Sequence, residues 1–293
     1  MTRSLGQFSV SSIGLGAMPF SLGGDRAVPR EQGIATVHAA LDAGVTLIDT
    51  ADIYAPAWDQ MGHNERIVAE ALRTWDGDAS SVVVATKGGI TRAEGESWGR
   101  DSSPEYLRAA AERSRERLGV DRIDLYYLHR PDRTRLYADA VEVLAGLQSD
   151  GIVAEVGISN ASVEEIQIAL DVLGAGGLAA VQNEFSPRFN HTSWPELLMC
   201  AEHGIVFVPF SPLGGVGGAG GVGGRFPVIA EVAEVHGVSP QQVTLAWEIG
   251  LGNHVVPIPG ASRPESITDS ARAMTLDLTD DERERISAAL LQR

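Results

Sequence analysis

One pattern runs the length of this chain and constrains its fold more than any composition figure. Short β-branched and apolar runs alternate with amphipathic stretches. Apolar residues recur with helical spacing over 29–43, 64–74, 104–118, 137–149, 162–172, 194–203, 227–236, 240–249 and 264–273. Proline at or near the first turn opens several of these, where its missing N–H costs nothing. Between them lie apolar runs at 12–16, 46–48, 81–85, 123–128, 153–158, 179–182, 205–209 and 254–257. None alternates polar with apolar, so each reads as a strand buried on both faces, as parallel strands are. Eight such alternations predict an α/β chain folded as one (β/α)8 TIM barrel over residues 1–293, since that fold takes about 250 residues. An open doubly wound sheet is the competing arrangement. Residues 2–8 are placed as a short hairpin under the barrel. Thr279-Asp280-Asp281-Glu282 reads as a capping box that opens an extra helix over 279–292.

Charge and cysteine content narrow the function classes. Lys and Arg total 23 against 39 Asp and Glu, a formal net charge of −16. With no basic excess to meet phosphates, a nucleic-acid or anionic-membrane partner is not expected. Cys200 is the single cysteine, which excludes a disulfide framework and a cysteine-based metal site within one chain. The seven histidines lack ligand spacing, so no metal is expected. No run approaches the length of an apolar membrane span, and MTRSLGQFSV lacks a signal-peptide apolar region. The expectation is a cytoplasmic protein. Nothing in the pattern points to an oligomeric state.

In such a barrel the functional residues sit at the C-terminal ends of the strands. Those ends carry Asp49 with Tyr54 in the following loop, then Lys87 and His129. A tyrosine is a poor acid or base at neutral pH, but a nearby ammonium stabilises its phenolate and lowers its pKa. Lys87 can supply that charge, Asp49 can hold Lys87 and compensate its burial, and His129 can donate a hydrogen bond to a carbonyl. The set suits proton delivery to a carbonyl oxygen. Each residue alone also has a plain structural role open to it: a helix cap, a loop anchor, a solvated cation, a core imidazole.

The motifs Gly44…Asp49-Thr50-Ala51…Tyr54, Thr86-Lys87-Gly88-Gly89, Leu128-His129-Arg130-Pro131-Asp132, Gly157-Ile158-Ser159-Asn160, Gln182-Asn183-Glu184-Phe185-Ser186-Pro187 and Pro209-Phe210-Ser211-Pro212-Leu213-Gly214 occur in this order. Together they resemble the aldo-keto reductase superfamily. The resemblance implies an enzyme that reduces an aldehyde or ketone to an alcohol with a nicotinamide cofactor, NADPH before NADH. It implies Tyr54 as general acid, tuned by Lys87 and Asp49, with His129 orienting the carbonyl. It further implies that Ser159, Asn160 and Gln182 hold the carboxamide, that Phe210 stacks on the nicotinamide, and that Ser211, Leu213 and Gly214 follow the pyrophosphate. Ala261, Ser262 and Arg263 would meet the adenosine phosphate, where arginine matches a 2′-phosphate. Here the chain departs from many members: Gly260 and Ser266 stand where these carry lysine and arginine, and Asp269-Ser270 where they carry a Glu-Asn pair. The pattern in Val181–Pro187 and Val208–Gly215 resembles bacterial pyridoxal reductases, which makes pyridoxal one candidate substrate.

Candidate pocket walls for a small-molecule carbonyl substrate are Met18, Phe20, Trp58, Trp98 and Arg130. Eight glycines crowd residues 214–224, a tract too glycine-rich to be expected helical. Its formal dinucleotide fingerprint lacks the tight strand-to-helix turn that motif needs. The tract, with Gly215 near its start, reads instead as a strap over the pyrophosphate that uses backbone N–H groups; a passive connector is the alternative. Two other functions compete. Gly157-Ile158-Ser159-Asn160-Ala161 approaches a hydrolase nucleophile elbow, but His254 begins the last strand rather than ending it. Some chains of the resembling superfamily are cofactor-binding regulatory or sensor subunits with little turnover.

Overall fold

The structure is a computed structural model that describes residues 2–22, 27–191 and 193–291. Two antiparallel strands, β1 (Thr2–Leu5) and β2 (Phe8–Ser11), open the chain. The wall of the barrel then follows in chain order as β3 (Leu15–Gly16), β4 (Leu47–Asp49) and β5 (Val83–Gly88). A second antiparallel hairpin comes next, β6 (Ile90–Ala93) with β7 (Ser97–Arg100), and then β8 (Ile123–Leu128), β9 (Val153–Ser159), β10 (Ala180–Glu184) and β11 (Val206–Phe210). The seven wall strands are parallel and ordered β11-β10-β9-β8-β5-β4-β3.

Eleven helices accompany them among the described residues: α1 (Arg30–Asp42), α2 (His63–Thr74), α3 (Pro104–Leu118), α4 (Tyr137–Ser149), α5 (Val163–Leu173), α6 (Trp194–His203), α7 (Val222–Arg225), α8 (Pro227–His236), α9 (Pro240–Gly250), α10 (Pro264–Ala271) and α11 (Asp280–Leu291). Their starts follow local chemistry. Ser162 and Glu165 form a reciprocal capping box on α5, and Thr279 and Glu282 do the same on α11. Gln292, the expected last residue of that helix, lies outside the described residues. No helix among the described residues is long and apolar enough to cross a membrane.

The expected eighth strand at 254–257 is not a regular strand. The segment closes the ring through isolated bridges, Phe207 to Val255 and Phe210 to Ile258 on one side and Gly16 to Gly260 on the other. The cause is its prolines. Val256 N and Ile258 N donate to Phe207 O and Pro209 O, each at 3.0 Å. On the other flank Pro257 O and Pro259 O accept from Gly14 N and Gly16 N at 2.9 and 3.1 Å, but neither proline can donate back. Half a ladder is all that side can build. The approach is also close: a Cβ on Gly16 would lie 2.9 Å from Ile258 O.

The first strand is shorter than expected and the hairpin longer. Ser11 and Thr46 exchange backbone-to-hydroxyl hydrogen bonds at 2.8 Å in place of a ladder, so the run 12–16 becomes regular only at Leu15. The hairpin plugs the lower end. Leu5 and Val10 pack with Leu47, Val83, Leu125, Tyr127, Val206 and Val256 inside the ring. The glycine tract also differs from expectation. Gly214, Gly215 and Gly217 take left-handed φ values of 88°, 78° and 76°, and a 3-10 turn at Ala219–Gly221 then leads into the one-turn α7. Buried Val222 and Phe226 flank that turn, and their packing offsets the helix cost of its glycines.

Candidate active site

Parallel strands deliver the ends of β4, β5, β8, β9, β10 and β11 to one rim, and the four expected polar residues meet there. Lys87, near the end of β5, is fully buried. Its Nζ lies 2.5 Å from Asp49 Oδ1, donates to Thr50 O at 2.8 Å and reaches Tyr54 OH at 3.5 Å. Gln182 Nε2 donates to the other oxygen of Asp49 at 2.8 Å. The Tyr54 and His129 rings meet edge to face with centroids 5.8 Å apart. Asp49, Lys87, Tyr54, His129 and Gln182 thus form one contiguous group drawn from four strands and a loop.

Burial sets the protonation states. It depresses Lys87, but Asp49 and Tyr54 oppose it and the net shift is upward, so the ammonium is kept. Burial raises Asp49 against the pull of Lys87 and Gln182. It also raises Tyr54, and Lys87 only partly counters this. The expectation that the ammonium lowers the phenol below its ordinary value is therefore reversed: desolvation of the phenolate outweighs the neighbouring charge. Tyr54 keeps its proton at neutral pH. His129 is pushed well below the usual imidazole range by burial, then by Lys87 and Arg130, and is neutral.

The loop bearing Tyr54 is fixed from behind by α2. Asn64 donates to Ala17 O at 2.9 Å and Ser21 Oγ at 2.8 Å, accepts from Thr50 Oγ1 at 2.6 Å, and its N–H reaches Tyr54 O at 3.1 Å. Glu65 accepts from Thr86 Oγ1 at 2.7 Å and from Arg117 at 3.2 Å. Neither residue stood out in the sequence. The signal was two polar residues in the first turn of a helix that follows the tyrosine loop.

Above the group opens a cavity of about 680 Å³. Of the expected residues, Met18, Trp98, Arg130, Asp49, Tyr54, His129, Ser159, Asn160, Gln182, Phe210, Ser211, Leu213, Gly215 and Ser262 line it. Leu22, Ile53, Ile90 and Val216 line it as well and were not anticipated. Lys87 stands behind the wall. Phe20 lies in the core against Gly33, α1 and α2 instead. Trp58 is off the wall, its backbone N–H bound to Glu96 Oε1 at 2.9 Å. Gly214 and Ala261 are chain neighbours of wall residues. Arg263 is exposed, and its Nε donates to Ser266 Oγ at 3.0 Å. Both oxygens of Asp269 are engaged, by Ser239 at 2.7 Å and Gln242 at 2.6 Å.

Backbone strain concentrates on this wall. Asn160 and Ser211, just past the ends of β9 and β11, have left-handed φ of 57° and 55°, as does Glu96 at 59° off this wall. Ser159 Oγ donates to Gln182 O at 2.8 Å, and no imidazole contacts it among the described residues. His254 Nε2 pairs instead with Leu197 O at 3.1 Å, beside the start of β11 at the opposite end of the ring. The geometry gives Ser159 no base.

Residues 12–221 and 224–290 match the model of the Aldo/keto reductase family. A Glycine max protein named "Probable aldo-keto reductase 1" is 30% identical over 97% of this chain and 86% of its own length. Among solved structures, a glycerol dehydrogenase from Gluconobacter oxydans superposes with a TM-score of 0.82 at 25% identity, covering 99% of this chain and 95% of the other. An aldo/keto reductase from Klebsiella pneumoniae, solved with NADP and acetate, does so at 0.80 with 28% identity, covering 98% and 94%. The closed parallel ring, the polar group at its upper rim and these matches agree: the chain belongs to the aldo/keto reductase family of oxidoreductases.

Proposed function

We propose that this protein reduces an aldehyde or ketone to the alcohol with a nicotinamide cofactor, NADPH in preference to NADH, and that Tyr54 is the proton donor. One observation carries the reading: a protonated tyrosine stands beside a buried ammonium and a neutral imidazole at the wall of a cavity large enough for a small substrate. The cavity fits the cofactor. Phe210 offers a ring face at its wall, Asn160 keeps Oδ1 free of partners among the described residues, and Gly215 and Gly217 leave backbone open beside it. The Klebsiella pneumoniae relative, solved with NADP, supports the same assignment.

A reduced nicotinamide supplies hydride when bound. The protein's own residues do the rest. As a C–H bond forms at the carbonyl carbon, the π pair moves to oxygen, and that oxygen takes the proton of Tyr54. Lys87 at 3.5 Å stabilises the phenolate left behind, and Asp49 holds Lys87 in place. His129 Nδ1 is buried without a partner among the described residues. Nε2 is then the nitrogen that donates to the carbonyl oxygen and orients it.

Tyr54→Phe tests this. General acid catalysis contributes roughly 100- to 10,000-fold, so kcat/KM for reduction should fall at least about 100-fold while NADPH binding, followed by quenching of protein fluorescence, is retained. Reduction at the wild-type rate in that variant would overturn the assignment.

A further inference from the structure

Several charges near the cavity are already answered within the protein. Asp49 is paired with Lys87, and His129 is neutral. Behind the rim, Arg92 donates to Ile53 O and Ala55 O and pairs with Glu96. Arg100 donates to Pro131 O at 3.2 Å. Arg130 is not answered in this way. Its side chain lines the cavity, and among the described residues no hydrogen bond or ion pair engages its guanidinium.

Arg130 is an exposed residue of the cavity rim, and its charge has no counter-ion among the described residues. Burial and the like charge of Arg100 both weaken its hold on its proton. Glu184 and Tyr54 act in the opposite sense, but neither lies within ion-pair or hydrogen-bond distance. In a chain with a net charge of −16, Arg130 brings an unpaired cation to the cavity rim.

We propose that Arg130 recognises a carboxylate carried by the carbonyl substrate, making the preferred substrates oxo-acids or aromatic aldehydes bearing an acid group. This rests on the reductase reading above. Arg130 follows His129 directly just beyond β8, and both line the one cavity, so a single substrate can meet both. The forked guanidinium matches a carboxylate with two parallel hydrogen bonds. Met18, Leu22, Ile53 and Ile90 supply apolar contact for the intervening carbon skeleton.

The test compares 4-carboxybenzaldehyde with its neutral methyl ester as substrates for the wild type, Arg130→Met and Arg130→Lys. The ratio of their kcat/KM values cancels intrinsic reactivity between variants. It should fall about tenfold or more in Arg130→Met, mainly through KM of the acid, with part of the loss restored in Arg130→Lys. An unchanged ratio in Arg130→Met overturns the inference. A second measurement needs no turnover. The product analogue 4-(hydroxymethyl)benzoate, with NADP present, should raise the melting temperature of the wild type and not of Arg130→Met. Equal shifts in both overturn the inference even if reduction itself is absent. Failure of the wild type to reduce either aldehyde, with a selective melting shift, instead sinks the reductase reading and leaves the anion site standing.

Discussion

Lys87 is a cation with no access to water, and it keeps its proton because Asp49 Oδ1 and Thr50 O stand at 2.5 and 2.8 Å. Removing one partner of such a pair strands the other charge, which is why Asp49 is tied to Gln182 as well. His129, one strand over, takes the opposite state. Depressed well below 6.5, it is neutral at every pH where it would otherwise titrate, and it gains charge only as pH falls toward that lowered value. The kcat/KM of reduction should therefore run flat from about pH 6 to about pH 8. A single-proton inflection near the ordinary imidazole value would show that His129 is charged in use. Most residues of this group were legible in the sequence because strand ends in a barrel converge, so position along a strand predicts position in space. The neutral phenol was not legible. Two opposing effects act on Tyr54, and only the extent of burial decides between them.

At the scale of elements, most wall strands and the helices from α1 to α6 follow from periodicity. Three pieces do not. Residues 90–100 look like loop, being polar and broken by glycine, yet β6 and β7 pair there and bring Trp98 onto the cavity wall, with its ring 4.7 Å from the Arg92 guanidinium. The apolar run at 254–257 looks like a strand, but Pro257 and Pro259 remove its donors on the flank facing β3. The glycine tract looks structureless, yet Val222 and Phe226 give it buried anchors that composition cannot reveal. Arg263, the residue preceding α10, belongs here too. Its guanidinium is held by Ser266. If Arg263 meets a 2′-phosphate, Arg263→Ala should raise KM for NADPH at least about tenfold and change KM for NADH much less. Equal changes for both cofactors would remove that role.

Across the whole molecule, buried acids shape the response to pH. Glu248 in α9 is fully buried, and neither carboxyl oxygen has a partner among the described residues. Burial alone raises it well above 4.5. The folded state thus holds a proton that the unfolded chain releases above 4.5. The stability this group contributes is intact below that pH and is lost as pH climbs toward the folded value. Asp52, raised mainly by burial and then by Glu65, acts in the same direction. His129 acts in the other: its contribution is present above 6.5 and lost as pH falls. Glu248→Gln should raise the melting temperature at pH 8 relative to pH 5 by a few degrees. An unchanged difference between the two would mean that Glu248 finds a partner in solution.

The half-laddered seam between β11 and β3 gives the ring the character of a clasp rather than a hoop. Its wall is continuous over seven strands and fastened at the eighth position by bridges alone. The cavity straddles that fastening: Phe210 and Ser211 stand on one side, Gly16 on the other, and Ile258, Gly260 and Ser262 lie between them. Whatever fills the cavity therefore acts as a rivet across the join. A molecule that binds only the closed ring stabilises that closure by mass action.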